Sequence, residues 1–480
     1  MKPSRLLTAV LLALAAAMPA EPGAFIRFGS VHAGPLTCLL NQASFRTPMA
    51  EQNASTGNPW VEQLKSSSEK MRAEAAKQLG NSTDPTVIPA LASALKDPSV
   101  KVRREVVLAL VQQHQPAALD ALETASTDTD PEIRTLAVQC LTAYYTGEVP
   151  STGFTGFMKK QYDRAKSHFQ EDNTRIDPGV NVDPKVIAAL QSAMNDIRAI
   201  QPAREAAKGL GILLARPAVA DLVKAAHSPD EGLAREALNA LAKIKESSAG
   251  PQLVDLLDSP NKEVKRDACV TVGILRTKGA IPKLQTIFDN PPDDKTKEKA
   301  LEGLAYIADR VSVPFFTRSL WSNNKQLRTS AAEGLARVGD RKYVSELQKE
   351  LSVEKDGGVK LALEFALAAL GQGDQLNALV NELSSKTRGD VAQSYLIELC
   401  RDKGFLPKIY PFLSDPETAT RRRLCTVIMY TGDKTSVEPM EKLSHDPNGD
   451  VASEALRALR AIRARAQQEA APAAKAATSR

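Results

Sequence analysis

Aliphatic residues recur along the chain about 31 positions apart, with one wider gap: Leu79, Leu110, Leu141, Leu210, Leu241, Val272, Leu304, Leu335, Leu367, Leu399, Ile428 and Leu459. Four residues before each lies a second column: Ala75, Val106, Ala137, Ala206, Ala237, Ala268, Ala300, Ala331, Leu363, Tyr395, Leu424 and Ala455. A third, mostly apolar, lies four earlier still and runs from Met71 through Val102, Ile133 and Leu233 to Val451. Steps of four and eight put the three columns on one face of a helix. A fixed period of this length predicts a stack of near-identical units in place of one globular core.

Many units open with an acidic or small polar residue followed by proline: Asp97-Pro98, Asp130-Pro131, Ser228-Pro229, Ser259-Pro260, Asp415-Pro416 and Asp446-Pro447. The polar residue is expected to cap a helix, and proline suits the next position because its missing N–H has no helical partner. After the first helix and a short turn, a second amphipathic helix is predicted, as at Pro116–Leu122, Ile281–Phe288, Val311–Leu320 and Ser436–Leu443. Alanine in the second column lets neighbouring helices cross closely.

The pattern Asp-Pro-x-x-x-Val-Arg-x-x-Ala-x-x-x-Leu-Gly, followed by a Pro-bearing second helix, resembles the HEAT repeat in its short bacterial form. The resemblance covers residues 63–465. It implies an all-α fold, an α-solenoid wound as a right-handed superhelix of about 11–12 helix–turn–helix repeats. First helices would take the convex side and second helices would line a concave surface. The short repeat form is also similar to that of the phycobilin lyase family.

Composition fits stacked helices: aromatics make up 5% of the chain, and 62 Lys and Arg against 57 Asp and Glu leave a net charge of +5. So small an excess describes a solvated mixed surface and not a nucleic-acid footprint. Residues 1–20 have the layout of a secretion signal. Lys2 and Arg5 precede an uncharged run from Leu6 to Met18, which ends at Met18-Pro19-Ala20. A periplasmic or secreted protein is expected, with an uncleaved, membrane-anchored form as the alternative. No span is expected in the mature chain, since the run is short for a bilayer. Residues 21–62 read as an irregular N-terminal arm and 466–480 as a disordered tail.

One unit is interrupted. The segment Asp84-Pro-Thr-Val-Ile-Pro-Ala-Leu returns as Asp183-Pro-Lys-Val-Ile-Ala-Ala-Leu; Asp84 follows Arg72 by 12 positions, but Asp183 follows Arg134 by 49. The third copy therefore carries an insertion at about 147–182. It holds Phe154, Phe157, Tyr162 and Phe169 interleaved with Lys159, Lys160, Arg164 and Lys166. Two readings are open: a docking element with aromatic anchors, or a folded-back helix that covers the apolar flank of its neighbours.

A basic column, Arg72, Arg103, Arg134, Lys265, Lys297, Arg328, Lys360 and Arg421, is expected to form a ladder with capping acids such as Asp97 or Asp130. Its alternative is a charged stripe for an acidic partner. Catalytic signatures do not emerge. The five histidines are scattered and none precedes Glu, so the iron chemistry of deoxyhypusine hydroxylase, a HEAT-repeat enzyme that resembles this architecture, does not carry over. No Cys-x-x-Cys, His-Glu-x-x-His or phosphate-cradling Gly-Lys-Ser/Thr loop occurs. Cys140, Cys269, Cys400 and Cys425 fall in predicted first helices, where they act as small hydrophobes; a Cys400–Cys425 bridge is open in an exported protein. The expectation is thus a non-enzymatic protein-binding or scaffold solenoid, with no cofactor, no metal and another protein as partner. A chromophore-lyase-like enzyme is the alternative, and a DNA-binding HEAT-like protein is further behind.

Overall fold

The computed structural model describes residues 58–84, 86–147, 175–196 and 198–477, with side chains to residue 467. The leader-like stretch and nearly all of the N-terminal arm lie outside these residues. Twelve first helices follow the period: Glu69–Gly80, Val100–Gln112, Pro131–Thr146, Ile200–Ile212, Glu231–Ile244, Lys262–Ile274, Asp294–Ile307, Lys325–Val338, Gly357–Ala369, Gly389–Leu399, Thr418–Thr431 and Gly449–Ala477. They are numbered here as copies one to twelve. Shorter second helices alternate with them, among them Ala117–Ala125, Ile281–Asp289, Val313–Leu320 and Val437–Leu443; in copy five a 3-10 stretch, Ser247–Asp258, takes that place. No strand occurs among the described residues. The architecture is an all-α solenoid.

The aliphatic column is the seam of this stack. All twelve of its residues are buried, none more than 5% exposed. Burying each such side chain contributes about 1.5–3 kcal/mol as an upper figure. Met71, in the first copy, is exposed where Val102, Ile133 and Val451 of later copies are buried.

Three expectations are corrected locally. In most copies the residue before proline is not the cap. Asp97 instead accepts from the Ser99 backbone N–H, and Ser99 caps the helix by accepting from Val102 N. Asp230, Asn261 and Asn448 likewise do the capping two residues beyond Ser228, Ser259 and Asp446. Only Asp130, directly ahead of Pro131, caps as the sequence suggested. At the ends of the stack, Pro59–Gln63 is already helical, inside the expected arm, and the last first helix runs on to Ala477 where a disordered tail was expected from 466.

The largest correction concerns which helices face inward. Neighbouring first helices touch backbone to backbone. A Cβ on Gly273 would lie 2.6 Å from Gly303 Cα, one on Gly211 would lie 2.6 Å from Ala240 Cα, and one on Gly80 would lie 2.9 Å from Ala109 Cα. Second helices stand farther apart, bridged by long side chains such as Gln191 to Asp221 and Arg318 to Asp289. Side chains on first helices also reach past a whole copy, from Arg337 to Glu398 and from Tyr395 to Glu333. Contacts that skip a neighbour form on the inside of a curve. The first helices therefore line the concave side, opposite to the family-based expectation.

The turn after the first helix repeats one unusual conformation. His114, Leu214, Lys245, Arg276, Ala308, Gly339 and Gly371 all have positive φ, between 50° and 96°. This left-handed residue ends the helix and lets the next N–H groups return to its last carbonyls. At Ala308, for example, the amide bonds back to Leu304 O.

Candidate binding surface on the inner face

The insertion residues Phe154, Phe157, Lys159, Lys160, Tyr162, Arg164 and Phe169 lie outside the described residues. Its flanks are described: Thr146 ends copy three's first helix at a left-handed Gly147, and Asp183 caps Pro184–Asn195.

Four residues of the basic column, Arg72, Arg103, Arg328 and Arg421, form a ladder, Arg72 with the expected Asp97 and the others with different acids. Arg72 bonds Asp97 at 2.6 and 3.0 Å, and Arg103 bonds Asp128, not Asp130, at 2.8 and 2.9 Å. Arg328 takes Glu354 at 2.6 and 3.0 Å, and Arg421 takes Asp446 at 2.8 and 3.0 Å. Each of these arginines also donates to a carbonyl six residues back, such as Ser66 O or Asp415 O. One planar guanidinium thus ties its own entry turn to the next one, a use of the fork that lysine cannot copy. Among the described residues Arg134 bonds the carbonyls of Asp128 and Thr129. Lys297 lies over the Phe288 ring at 4.9 Å. In copies four and six the role passes one residue along, to Arg204 with Asp230 and Arg266 with Asp293. These pairs hold repeats together and leave little free charge on that edge.

The inner face carries a different network. Arg337 donates to both Glu398 oxygens at 2.8 and 3.0 Å and to Glu333 at 3.2 Å, and its guanidinium sits 4.5 Å from the Tyr306 ring centre. The Tyr395 hydroxyl donates to the other Glu333 oxygen at 2.6 Å, while its ring stacks on Phe365 at 4.4 Å. Copies eight and ten are thereby cross-linked over copy nine. Burial raises the Glu333 carboxyl above its ordinary range, although Arg337 opposes this. Glu398 is also pushed up by burial, but its bonds to Arg337 outweigh that and hold it below the ordinary range. Burial and the Glu333 charge push the Tyr395 phenol well up, so it stays a donor at neutral pH. A buried network of this kind rigidifies when every member is satisfied.

Around this network the ends of the first helices converge. Ile176 N donates to Ile212 O at 3.0 Å, which fixes the strand leaving the insertion to the end of copy four. From there Arg175 lies over the ring of Tyr430 of copy eleven, 4.0 Å from its centre, and Asp177 accepts two bonds from Arg457 of copy twelve at 2.6 and 3.1 Å. Gly179, at φ +89°, abuts Ala464 so closely that a Cβ would lie 2.4 Å from the alanine methyl. Asp177 and Arg457 are 280 positions apart. This clasp brings early and late copies together.

The four described cysteines, Cys140, Cys269, Cys400 and Cys425, are buried free thiols. Burial pushes Cys269, Cys400 and Cys425 up to about 12, and Cys140 further. They are inert hydrophobes at neutral pH. No His, Cys, Asp or Glu group able to hold a metal ion occurs among the described residues, and no helix there is long and apolar enough to cross a membrane.

The sequence reading missed the inner lining, although a signal was present. Positions two before and two after the aliphatic column should be ordinary helix surface. Instead they hold Glu302, Glu333, Phe365 and Arg457 on one side, and Tyr306, Arg337, Arg401 and Tyr430 on the other. Tyr395, which takes a place that is alanine in most copies, was the other sign.

The family model for HEAT repeats matches residues 57–142, 183–272, 219–305 and 281–368, more than half of the chain. No curated protein matches. Among solved structures, the chain is similar to an engineered protein at 19% identity, covering 84% of this chain and 98% of that one with a TM-score of 0.36. It is also similar to the complex of CpcE and CpcF of phycocyanin lyase from Nostoc, at 19% identity over 58% of this chain and 94% of that one, TM-score 0.33. Kap121p bound to Ste12p matches at 13% identity over 84% of this chain and 57% of that one, TM-score 0.40.

Proposed function

We propose that this chain, which belongs to the HEAT-repeat family, is a non-enzymatic scaffold that binds another protein along its inner face. The observation that carries the reading is the run of charged and aromatic side chains which the first helices of copies seven to eleven carry on the concave side. A surface assembled from repeats suits an extended partner, because each copy adds a similar increment of contact. Export belongs to the same proposal and rests on the leader-like pattern of residues 1–20. The insertion is proposed as a second contact, through Phe154, Phe157, Tyr162 and Phe169 with their basic neighbours.

The test is affinity capture from a cell-envelope fraction with three baits. These are the full protein, a form whose residues 148–174 are replaced by a Gly-Ser linker, and a form with Arg337 and Glu398 both changed to Gln. Recovery of one defined partner by the full protein, reduced in either altered bait, is the expected result. Equal recovery by all three would remove the inner face and the insertion from the proposal. Fractionation with and without residues 1–20 tests export separately; equal distribution would end that part. Keeping 175–182 in the altered bait matters, since Ile176 and Asp177 are bonded into the stack.

A further inference from the structure

We propose that the ends of the first helices of copies four, five, ten and eleven form a docking site for a carboxylate-rich peptide segment of a partner protein, gripped by Lys245, Arg401 and Arg175. The proposal rests on the protein-binding reading above and names the chemistry of the bound segment.

The placement follows from the backbone. Arg175 precedes Ile176, whose amide is fixed to Ile212 at the end of copy four. Gly211, beside Ile212, packs against Ala240 of copy five, and the helix of copy five ends at Lys245 in the left-handed conformation, φ +59°. On the far side Arg175 rests on Tyr430 of copy eleven. Arg401 follows the last turn of copy ten, three residues after Glu398. Arg175 thus lies between the end of copy four and copy eleven, while Lys245 and Arg401 stand at the helix ends of the adjoining copies five and ten.

Their acids are already engaged. Glu398 is held by both arms of Arg337, and Asp177 and Glu454 are held by Arg457. Lys245, Arg401 and Arg175 have no ion pair among the described residues. The Lys245 side chain is exposed to solvent at the end of its helix. Burial, with the charges of Arg401, Arg175 and Arg337, pushes its ammonium down to about 8, while Glu398 pulls the other way. Like charges gathered at neighbouring helix ends raise the local positive potential, and a carboxylate docking there relieves their repulsion. Arg175 is further held in place by its stand over the Tyr430 ring, and its planar fork suits a carboxylate.

Fluorescence anisotropy of labelled hexaglutamate on the full chain is the test, with hexaglutamine as neutral probe and inorganic phosphate as competitor. Hexaglutamate should bind, and affinity should fall at least about ten-fold in the Lys245→Gln, Arg401→Gln double variant. A control pair at the opposite ends of first helices, Lys101→Gln with Lys325→Gln, should stay within about two-fold, and the Lys245→Arg, Arg401→Lys swap should retain binding. Affinity should also decline as pH rises from 8 to 10 while Lys245 loses its proton. Equal weakening in the control pair, binding of hexaglutamine as tight as hexaglutamate, or phosphate competing at the same concentration as the peptide would overturn the proposal. So would no binding at all by a folded wild-type chain. If the double variant melts early, the single Lys245→Gln and Arg401→Gln variants decide: unchanged affinity in both folded proteins counts against the proposal. The partner-binding reading fails separately, through capture that shows no defined partner.

Discussion

Alanine at position 308 holds a backbone conformation that glycine holds in the next copy, at position 339. A side chain in that region costs about 1–2 kcal/mol, partly offset by the extra freedom that glycine loses on folding. Ala308→Gly is therefore expected to stabilise by about 0.5 kcal/mol. Gly339→Ala, where nothing lies near the new methyl, should destabilise by about 1 kcal/mol through the backbone alone. Chemical denaturation of both variants checks the pair, and shifts of the same sign would refute the argument. Lys245 gives a prediction in pH. Its folded value, about 8, lies below the usual lysine range, so the unfolded chain binds more protons between the two. Stability from this group must then rise with pH across that window. Lys245→Gln should accordingly raise the melting temperature at pH 7 and do little at pH 11. Little of this was readable in the sequence, because Leu214, Lys245 and Arg276 give no hint of a left-handed turn, whereas Gly339 and Gly371 do.

At the scale of helices, the close crossings and the arginine forks govern what can change. A methyl on Gly303 would meet Cys269 O at 2.3 Å, so Gly303→Ala must separate copies six and seven. Overpacking of this kind typically costs about 1–3 kcal/mol, readable as a lower denaturation midpoint. A wild-type midpoint would show that the two helices are not in contact. The fork at Arg328 is sensitive to acid. Bonds to Arg328 hold Glu354 down to about 2, against the usual glutamate value, so its contribution is complete above the unfolded range. It fades as pH falls toward 2. Glu354→Gln should therefore destabilise at pH 7, with the gap from wild type closing near pH 2 in parallel melts. The pairing of helices and most of their limits were legible, since the columns of Leu and Ala report burial directly. Which helix faces inward was not. Burial between two layers has the same period whichever layer is outside, and the close glycine crossings with the long side chains at Arg337, Tyr395 and Glu398 distinguish the sides.

For the stack as a whole, the clasp is the decisive contact, and nothing in the 31-residue period announces it. Asp177 falls in the one segment that departs from the repeat, and its partner Arg457 lies on the last first helix. Asp177→Asn and Arg457→Ala should leave helical content unchanged while the radius of gyration from small-angle scattering grows. Amide exchange should quicken around Ile176 and Ala464. An unchanged radius in both variants would mean that the early and late copies stay together without the clasp. Both of its charged groups are partly exposed, so the contact should weaken as ionic strength rises.

That pairing also constrains the order of events when the polypeptide is made. Helix pairs can settle one after another as they leave the ribosome, each against its predecessor. Asp177, synthesised early, must wait for Arg457, near the end. A chain cut short before the last copy would carry a finished row of repeats but an unmet carboxylate, with Arg175 on Tyr430 as the remaining described contact between its early and late parts.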